Sequence, residues 1–301
     1  MRDDILSKTS ASTGAGSPEV IGFYDEDTGS CQYICICPET RKAALIDVVQ
    51  TLDPKSFATG FAPAQWALDV IAERGLELEW ILDTHPHADH LMAGAWLKEQ
   101  TGAPTGIGEK VHEIAELWRG YYNAPHAFPV DPHFDRLFAE GDTFKIGNLE
   151  VEVMLSPGHT LGSVTYVVGD AIFAHDTLMM PDAGTSRADF PGGTAAELYD
   201  SIMRILEHPD DTRVFIGHDY GTDTREEPAW ESTVGQQKRE NIHLKDGASK
   251  AEYVARREKR DATLALPDRM LAALQVNLRG GRLPEPEEDG KSYFKIPANK
   301  F

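Results

Sequence analysis

Residues 84–94 read THPHADHLMAG, which brings His85, His87, Asp89 and His90 within six positions of one another. The run Trp80-Ile81-Leu82 directly before them has the length and flanks of a buried strand. Imidazoles at i and i+2 can converge on one cation where the backbone leaves a strand. Asp89 and His90, on the turn that opens a helix through 93–100, would face a second cation beside the first. Nitrogen and oxygen donors without thiolate suit Zn, Fe or Mn better than copper(I) or an iron–sulfur cluster. A histidine pair on a loop is more often packing than ligation, and an isolated aspartate there serves as a helix N-cap. Four donors this close together read as a metal site instead, because desolvated polar groups are costly to crowd without a cation to share.

Further donors follow at strand ends. Strands are predicted over 143–146, 149–156, 163–168 and 171–174. Between two of them SPGHTLGS (156–163) puts His159 on a tight, glycine-bounded turn. AHDTL (174–178) puts His175 and Asp176 at the end of another strand. A helix over 195–207 then leads to a strand at 213–216 and to GHDYG (217–221), with His218 again at a strand end. Three separate strand ends thus deliver donors toward the region of His85–His90.

The rest of the chain supplies layers. Residues 1–18, rich in Ser, Thr, Gly and Ala, read as a flexible arm. A meander of strands is predicted over 20–25, 31–37 and 42–47. A helix over 62–74 carries Trp66, Val70 and Ile71 at helical spacing, with Gly75 as its cap. A strand at 78–83 leads into the metal loop, then a helix at 91–100, a strand at 103–107 and a helix at 110–119. The aperiodic stretch 120–136 is either a wall or lid over the site or a packed surface excursion. Beyond Trp230 helices are predicted over 232–244, 250–264 and 268–278, and Tyr293-Phe294-Lys295-Ile296 could dock as an edge strand. The domain organisation expected is an arm (1–18), a catalytic domain (19–228) and a helical C-terminal extension (229–301) packed on that same domain.

Composition excludes some classes of partner. With 49 acidic against 29 basic residues the formal net charge of the 301-residue chain is −20. Such a surface repels phosphate backbones and anionic lipid, so neither nucleic acid nor membrane is an expected partner. No apolar run approaches spanning length, and the start, MRDDILSKTS, lacks the pattern of a signal peptide. Cys31, Cys35 and Cys37, odd in number and grouped on one strand, fit small apolar packing in a reducing cytoplasm better than a disulfide framework.

In order and rough spacing, His85-x-His87-x-Asp89-His90, His159, Asp176 and His218 resemble the donor set of the metallo-β-lactamase fold superfamily, over residues 31–220 or so. The fold this implies is α/β: an αββα four-layer sandwich with a helical C-terminal extension. Three stretches narrow the resemblance. Gly184-Thr185-Ser186-Arg187-Ala188-Asp189-Phe190 is similar to the GxGRTDF segment of the persulfide dioxygenases, the family of the mitochondrial ethylmalonic encephalopathy protein. His218-Asp219-Tyr220-Gly221 resembles that family's HDYxG, and Ser232-Thr233-Val234 with Lys238-Arg239-x-Asn241 resembles its STVxEE(K/R)xxN helix. The match is to the bacterial subgroup sometimes fused to a sulfurtransferase, a domain for which this chain is expected to have no room.

The resemblance implies one Fe(II) per chain on His85, His159 and Asp176. Such a facial triad leaves open positions for glutathione persulfide and O2, with sulfite and glutathione as products. His87, Asp89, His90 and His218 would then orient the ligands or bound water. Tyr220 and Arg187 are the implied catalytic and substrate-binding neighbours. Arg187 would grip a glutathione carboxylate or, equally, form an ion pair with Asp189. A homodimer is implied as well. Three residues depart from the family: Pro86 and Ser186 replace a cysteine and a glycine, and His175 replaces the glycine before the aspartate. The same seven donors also resemble those of a binuclear glyoxalase II-type thioester hydrolase. There Asp176 would bridge two Zn(II), with His85, His87 and His159 on one and Asp89, His90 and His218 on the other. A third reading, a non-catalytic metal or sulfur-carrier protein with His175 closing the site, conflicts with the open coordination of a facial triad.

Overall fold

The structure, a computed structural model, describes residues 5–301. Side-chain alternation sets its layers. Along Thr143–Ile146 and Leu149–Leu155, Phe144, Ile146, Val151 and Val153 are buried while Lys145, Glu150 and Glu152 face solvent. Ser30–Ile36, by contrast, is buried at every position, as a central strand covered on both faces must be.

Two sheets result. The first has seven strands in the order Ser7–Ser10, Glu19–Asp25, Ser30–Ile36, Lys42–Ile46, Glu77–Leu82, Thr105–Gly108, Arg136–Phe138. It is antiparallel through the first four and parallel from Lys42–Ile46 onward. The second runs in chain order from Thr143–Ile146 to Glu231–Thr233 and contains one parallel pair, Ala171–His175 beside Arg213–Ile216. Between the sheets Tyr33, Cys35, Phe138, Val151, Tyr166 and Phe173 form one apolar core. Ala62–Glu73 and Gly94–Thr101 pack Trp66, Ile71 and Leu97 on the outside of the first sheet. Ala195–Ile205 and Lys250–Asp261 pack Leu198, Ile202 and Tyr253 on the outside of the second. The expected αββα sandwich is therefore the architecture observed, and the cysteines contribute to its core as free, buried thiols.

Three sequence-based expectations are corrected, and one left open between two alternatives is decided. Ser7–Ser10 is not part of a loose arm but an edge strand, paired from Ser7↔Phe23 to Ser10↔Val20. The hydroxyls that made this stretch read as linker are engaged instead: Thr13 and Ser17 donate to Asp170, and Ser10 accepts from Arg213. Residues 1–4 of the expected arm lie outside the described residues. The stretch after Tyr122 is no lid over the metal donors. Phe128, Val130 and Phe134 are buried in a separate cluster with Trp118, Met270 and Leu274. The helix expected over 232–244 shortens to Val234–Glu240, because Thr233 caps it reciprocally with Gln236 and residues Glu231–Thr233 join the second sheet. Tyr293–Ile296 forms no strand; Lys295 is tied through its backbone to the Gln275 side chain, and Phe294 lies 5.5 Å from Phe57.

The C-terminal helix Met270–Asn277 bears directly on the metal loop. Asn277 is fully buried, donates from Nδ2 to the carbonyls of His87 (2.7 Å) and His90 (2.8 Å), and accepts from the Met92 amide (2.8 Å). One side chain thus satisfies three backbone groups of the loop that carries four candidate donors. We predict that Asn277→Ala, which strands those groups away from water, lowers stability by about 3 kcal/mol. Urea denaturation reads this as a lower midpoint at unchanged slope, and a midpoint equal to that of the parent would contradict it.

Candidate metal centre

Every candidate donor follows a strand. Glu77–Leu82 ends before Asp83-Thr84-His85, Leu149–Leu155 before His159, Ala171–His175 before Asp176, and Arg213–Ile216 before His218. Because Glu77–Leu82 runs parallel to Lys42–Ile46, and Ala171–His175 parallel to Arg213–Ile216, adjacent strands end on the same edge. The sandwich thereby gathers donors distant in sequence. Tight turns then fix them. At Gly158 (φ +134°) an added Cβ would sit 2.2 Å from the Leu198 backbone, so only glycine lets the loop carrying His159 lie against helix Ala195–Ile205.

His85, His159 and Asp176 come together as expected, with one ligating atom of each within 4.8 Å of the others. Asp176 Oδ2 stands 3.6 Å from His85 Nε2 and 3.5 Å from His159 Nε2. These separations are too long for hydrogen bonds. They suit a coordination shell with bonds of about 2.0–2.2 Å, so the residues present fit a metal ion. His159 Nδ1 faces the Arg187 carbonyl at 2.8 Å and His85 Nδ1 faces Thr84 Oγ1 at 3.1 Å, which leaves both Nε2 atoms directed inward. His87, Asp89 and His90 form a second group of the same compactness, and His87 Nδ1 is buried without a hydrogen-bond partner.

His218 stands between the two groups. Its Nδ1 is 2.6 Å from Asp176 Oδ1 and its Nε2 is 2.6 Å from Asp89 Oδ2. Burial disfavours the charged ring, but Asp176 and then Asp89 outweigh it and raise the His218 pKa well above its usual value. In turn, although burial pushes Asp176 upward, His218, then His159 and His85, hold it well below the carboxylate range. Burial drives most of the others toward neutrality: His85 falls well below its usual pKa, His159 falls too, and His90 and His175 fall to about 3, whereas Asp47 outweighs burial at His87 and raises it. Neutral imidazole is the ligating form.

His175 supports the site without joining a donor group. Its φ of +40° is costly for an L-residue, about 1 kcal/mol or more. The ring lies 5.0 Å from His85 and faces Ser156 Oγ at 3.4 Å and Thr177 Oγ1 at 3.3 Å. It also accepts from the Asp176 amide. Ser186, at the position where a glycine was expected, donates to the Asp176 carbonyl.

A cleft of about 750 Å³ opens on Asp89, His159, Asp176 and His218. Tyr220 lies at its rim, exposed, with its ring stacked at 5.8 Å on His218. Arg187 lines the cleft too, but its guanidinium is held by both Asp189 oxygens (2.7 and 2.8 Å) and by the Ala265 carbonyl. The ion-pair alternative for this residue is the one observed. Sequence reasoning missed Asp47, which accepts from the Thr84 amide and hydroxyl (2.7 and 2.8 Å) and pairs with His87 Nε2 at 3.1 Å. The one available signal was an acid closing the apolar run Ala43–Ile46.

Residues 27–218 match the family described as Metallo-beta-lactamase superfamily. A beta-lactamase hydrolase-like protein of Xylella fastidiosa is 52% identical over 94% of this chain, and the chain spans 65% of that protein's length. Glyoxylase B2 of Dictyostelium discoideum is 40% identical, with 92% of this chain and 96% of that protein covered. Among solved structures, ETHE1 from Myxococcus xanthus superposes with a TM-score of 0.69 at 29% identity, over 87% of this chain and 98% of its own.

The two kinds of histidine should separate on mutation. Alanine at His85, His159 or Asp176 is expected to abolish metal retention, whereas His218→Ala, which removes the partner of Asp176 Oδ1, should reduce affinity about 10–100-fold. Competition with a chelator measures this, and loss in His218→Ala as complete as in the other three would contradict the division.

Proposed function

The chain belongs to the metallo-beta-lactamase superfamily, and we propose that within it the protein is a persulfide dioxygenase. It would oxidise the terminal sulfur of glutathione persulfide with O2 and water to sulfite, releasing glutathione. The observation that carries this reading is the position of His218. Its Nδ1 is bonded to Asp176 and its Nε2 lies within reach of Asp89 and of Ser30 Oγ, which favours a partner of the ligands over a ligand, beside the compact triad of His85, His159 and Asp176. The segments around Arg187 and Tyr220 support the same choice, as does the similarity to ETHE1 from Myxococcus xanthus. His85, His159 and Asp176 would hold one Fe(II), which supplies adjacent positions for sulfur and O2 and so removes most of the entropy cost of their encounter.

The protein's own groups do the rest. His218, held between Asp176 and Asp89 on the cleft, would orient the Asp176 carboxylate for the ion and offset negative charge that develops beside it. Tyr220, stacked on that ring, brings a phenol to the same place. Phe190 and Met179 wall the cleft and keep water from the sulfur. The reading also carries a homodimer, by resemblance alone, and a reducing cytoplasm, which suits the three free thiols.

A second reading, a glyoxalase II-type hydrolase with one or two Zn(II), has its own observation. His87, Asp89 and His90 converge beside the first triad, and His87 Nδ1 lacks a partner. The likeness to glyoxylase B2 of Dictyostelium supports it. Hydrolysis of S-lactoylglutathione would then need no oxygen.

An oxygen electrode and a thioester absorbance assay on one Fe(II)-loaded preparation separate the two. The proposal expects O2 uptake with glutathione persulfide, sulfite formation and no turnover with glutathione. Asp176→Asn should suppress uptake by removing the anionic ligand. Anaerobic thioester cleavage without O2 uptake would replace the proposal with the second reading.

A further inference from the structure

Four arginines line the cleft, and they differ in what holds them. Arg187 is paired with Asp189 and Arg257 with Asp261. Arg260 and Arg269 make no ion pair among the described residues. Arg260, exposed near the end of helix Lys250–Asp261, is fixed only by Nη1 to Thr263 Oγ1 at 3.2 Å. Arg269 donates from Nε to the Leu52 carbonyl and from Nη1 to the Asp27 carbonyl, both at 3.3 Å. Those contacts orient the side chains and leave each Nη2 group without a protein acceptor among the described residues. In a chain of net charge −20, two cations left over on the cleft that borders the metal donors call for an anionic ligand.

We infer that Arg260 and Arg269 bind the two terminal carboxylates of a glutathionyl substrate. The inference rests on the glutathione part of the proposed function and is independent of the oxygen chemistry. Arg260 and His243 both line the cleft, as do Arg269, Asp27 and Asp268, and Arg269 donates to the Asp27 carbonyl and follows Asp268 in the chain. A tripeptide thiol carries its sulfur centrally and a carboxylate at each end, so two separate arginines on one cleft can take its ends with the sulfur between them. The volume of about 750 Å³ suits a ligand of that size. The ends are distinguishable. Asp268 beside Arg269 offers an acid and a base together, which matches the ammonium and carboxylate of the γ-glutamyl end. Arg260 has no such acid and takes the glycyl carboxylate.

Titration calorimetry on the metal-loaded protein with S-methylglutathione and S-methyl-γ-glutamylcysteine tests this without turnover. Arg269→Gln should weaken both ligands about tenfold, the scale of one charge-assisted hydrogen-bonded contact. Arg260→Gln should weaken only S-methylglutathione, by a similar factor, and leave the dipeptide as in the parent. Lysine at either position should restore part of the loss, which a merely structural defect would not allow. Parent-like binding of S-methylglutathione by both glutamine variants, or equal weakening of both ligands by Arg260→Gln, overturns the assignment. Should O2 uptake fail while this pattern holds, the oxidation proposal falls and the two arginines keep their role.

Discussion

Asp176 is asked to do two things at once. Its Oδ2 faces His85 and His159 across gaps that suit a cation, and its Oδ1 is held by His218. A carboxylate this deeply buried is tolerated only when both oxygens find positive or donor partners. The surrounding architecture meets that demand. Two parallel strand pairs end on one edge, a glycine turn admits His159, and His175 accepts a left-handed backbone so that its ring can receive the Asp176 amide. His218 acts in both directions, since it stabilises Asp176 and is itself kept charged by Asp176 and Asp89.

Around this carboxylate the loop 84–94 is clamped from two sides. Asp47 takes the Thr84 amide, the Thr84 hydroxyl and the His87 ring, while Asn277 takes the carbonyls of His87 and His90. Buried Asp83, raised to about 8 by desolvation and then by the charge of Asp47, is largely neutral beside them. Donors held this way lose little freedom on binding an ion. The helical extension is thus part of the site's support and, through Arg260 and Arg269, part of its rim as well.

Most of the site was legible because ligation leaves a dense signal: four donors in six residues, and three more at predicted strand ends. The layers were legible too, since alternation in Leu149–Leu155 and helical spacing around Trp66 point to their buried faces. What escaped were residues whose role depends on distant partners. Asp47 is an ordinary strand-end acid and Asn277 an ordinary helix-end amide until the fold brings them to the loop. Ser7–Ser10 looked like linker because its hydroxyl-rich composition does not reveal that it pairs with Glu19–Asp25 or that Arg213 reaches the Ser10 hydroxyl. Arg187 shows the converse. Its segment suggested a substrate contact, yet Asp189, two residues on, takes its guanidinium, and the unpaired arginines lie farther along the chain.

The central claim of the proposal is one metal site, filled by iron, with His218 serving as partner to Asp176 and Asp89. Metal content per chain after expression with both iron and zinc in excess, read by elemental analysis, tests it most directly. The account predicts one iron and little zinc, with Fe(II) reloading the stripped protein at the same ratio. Two metals per chain, with the second lost in His218→Ala, would contradict it, because His218 would then be a ligand and not the partner of two carboxylates.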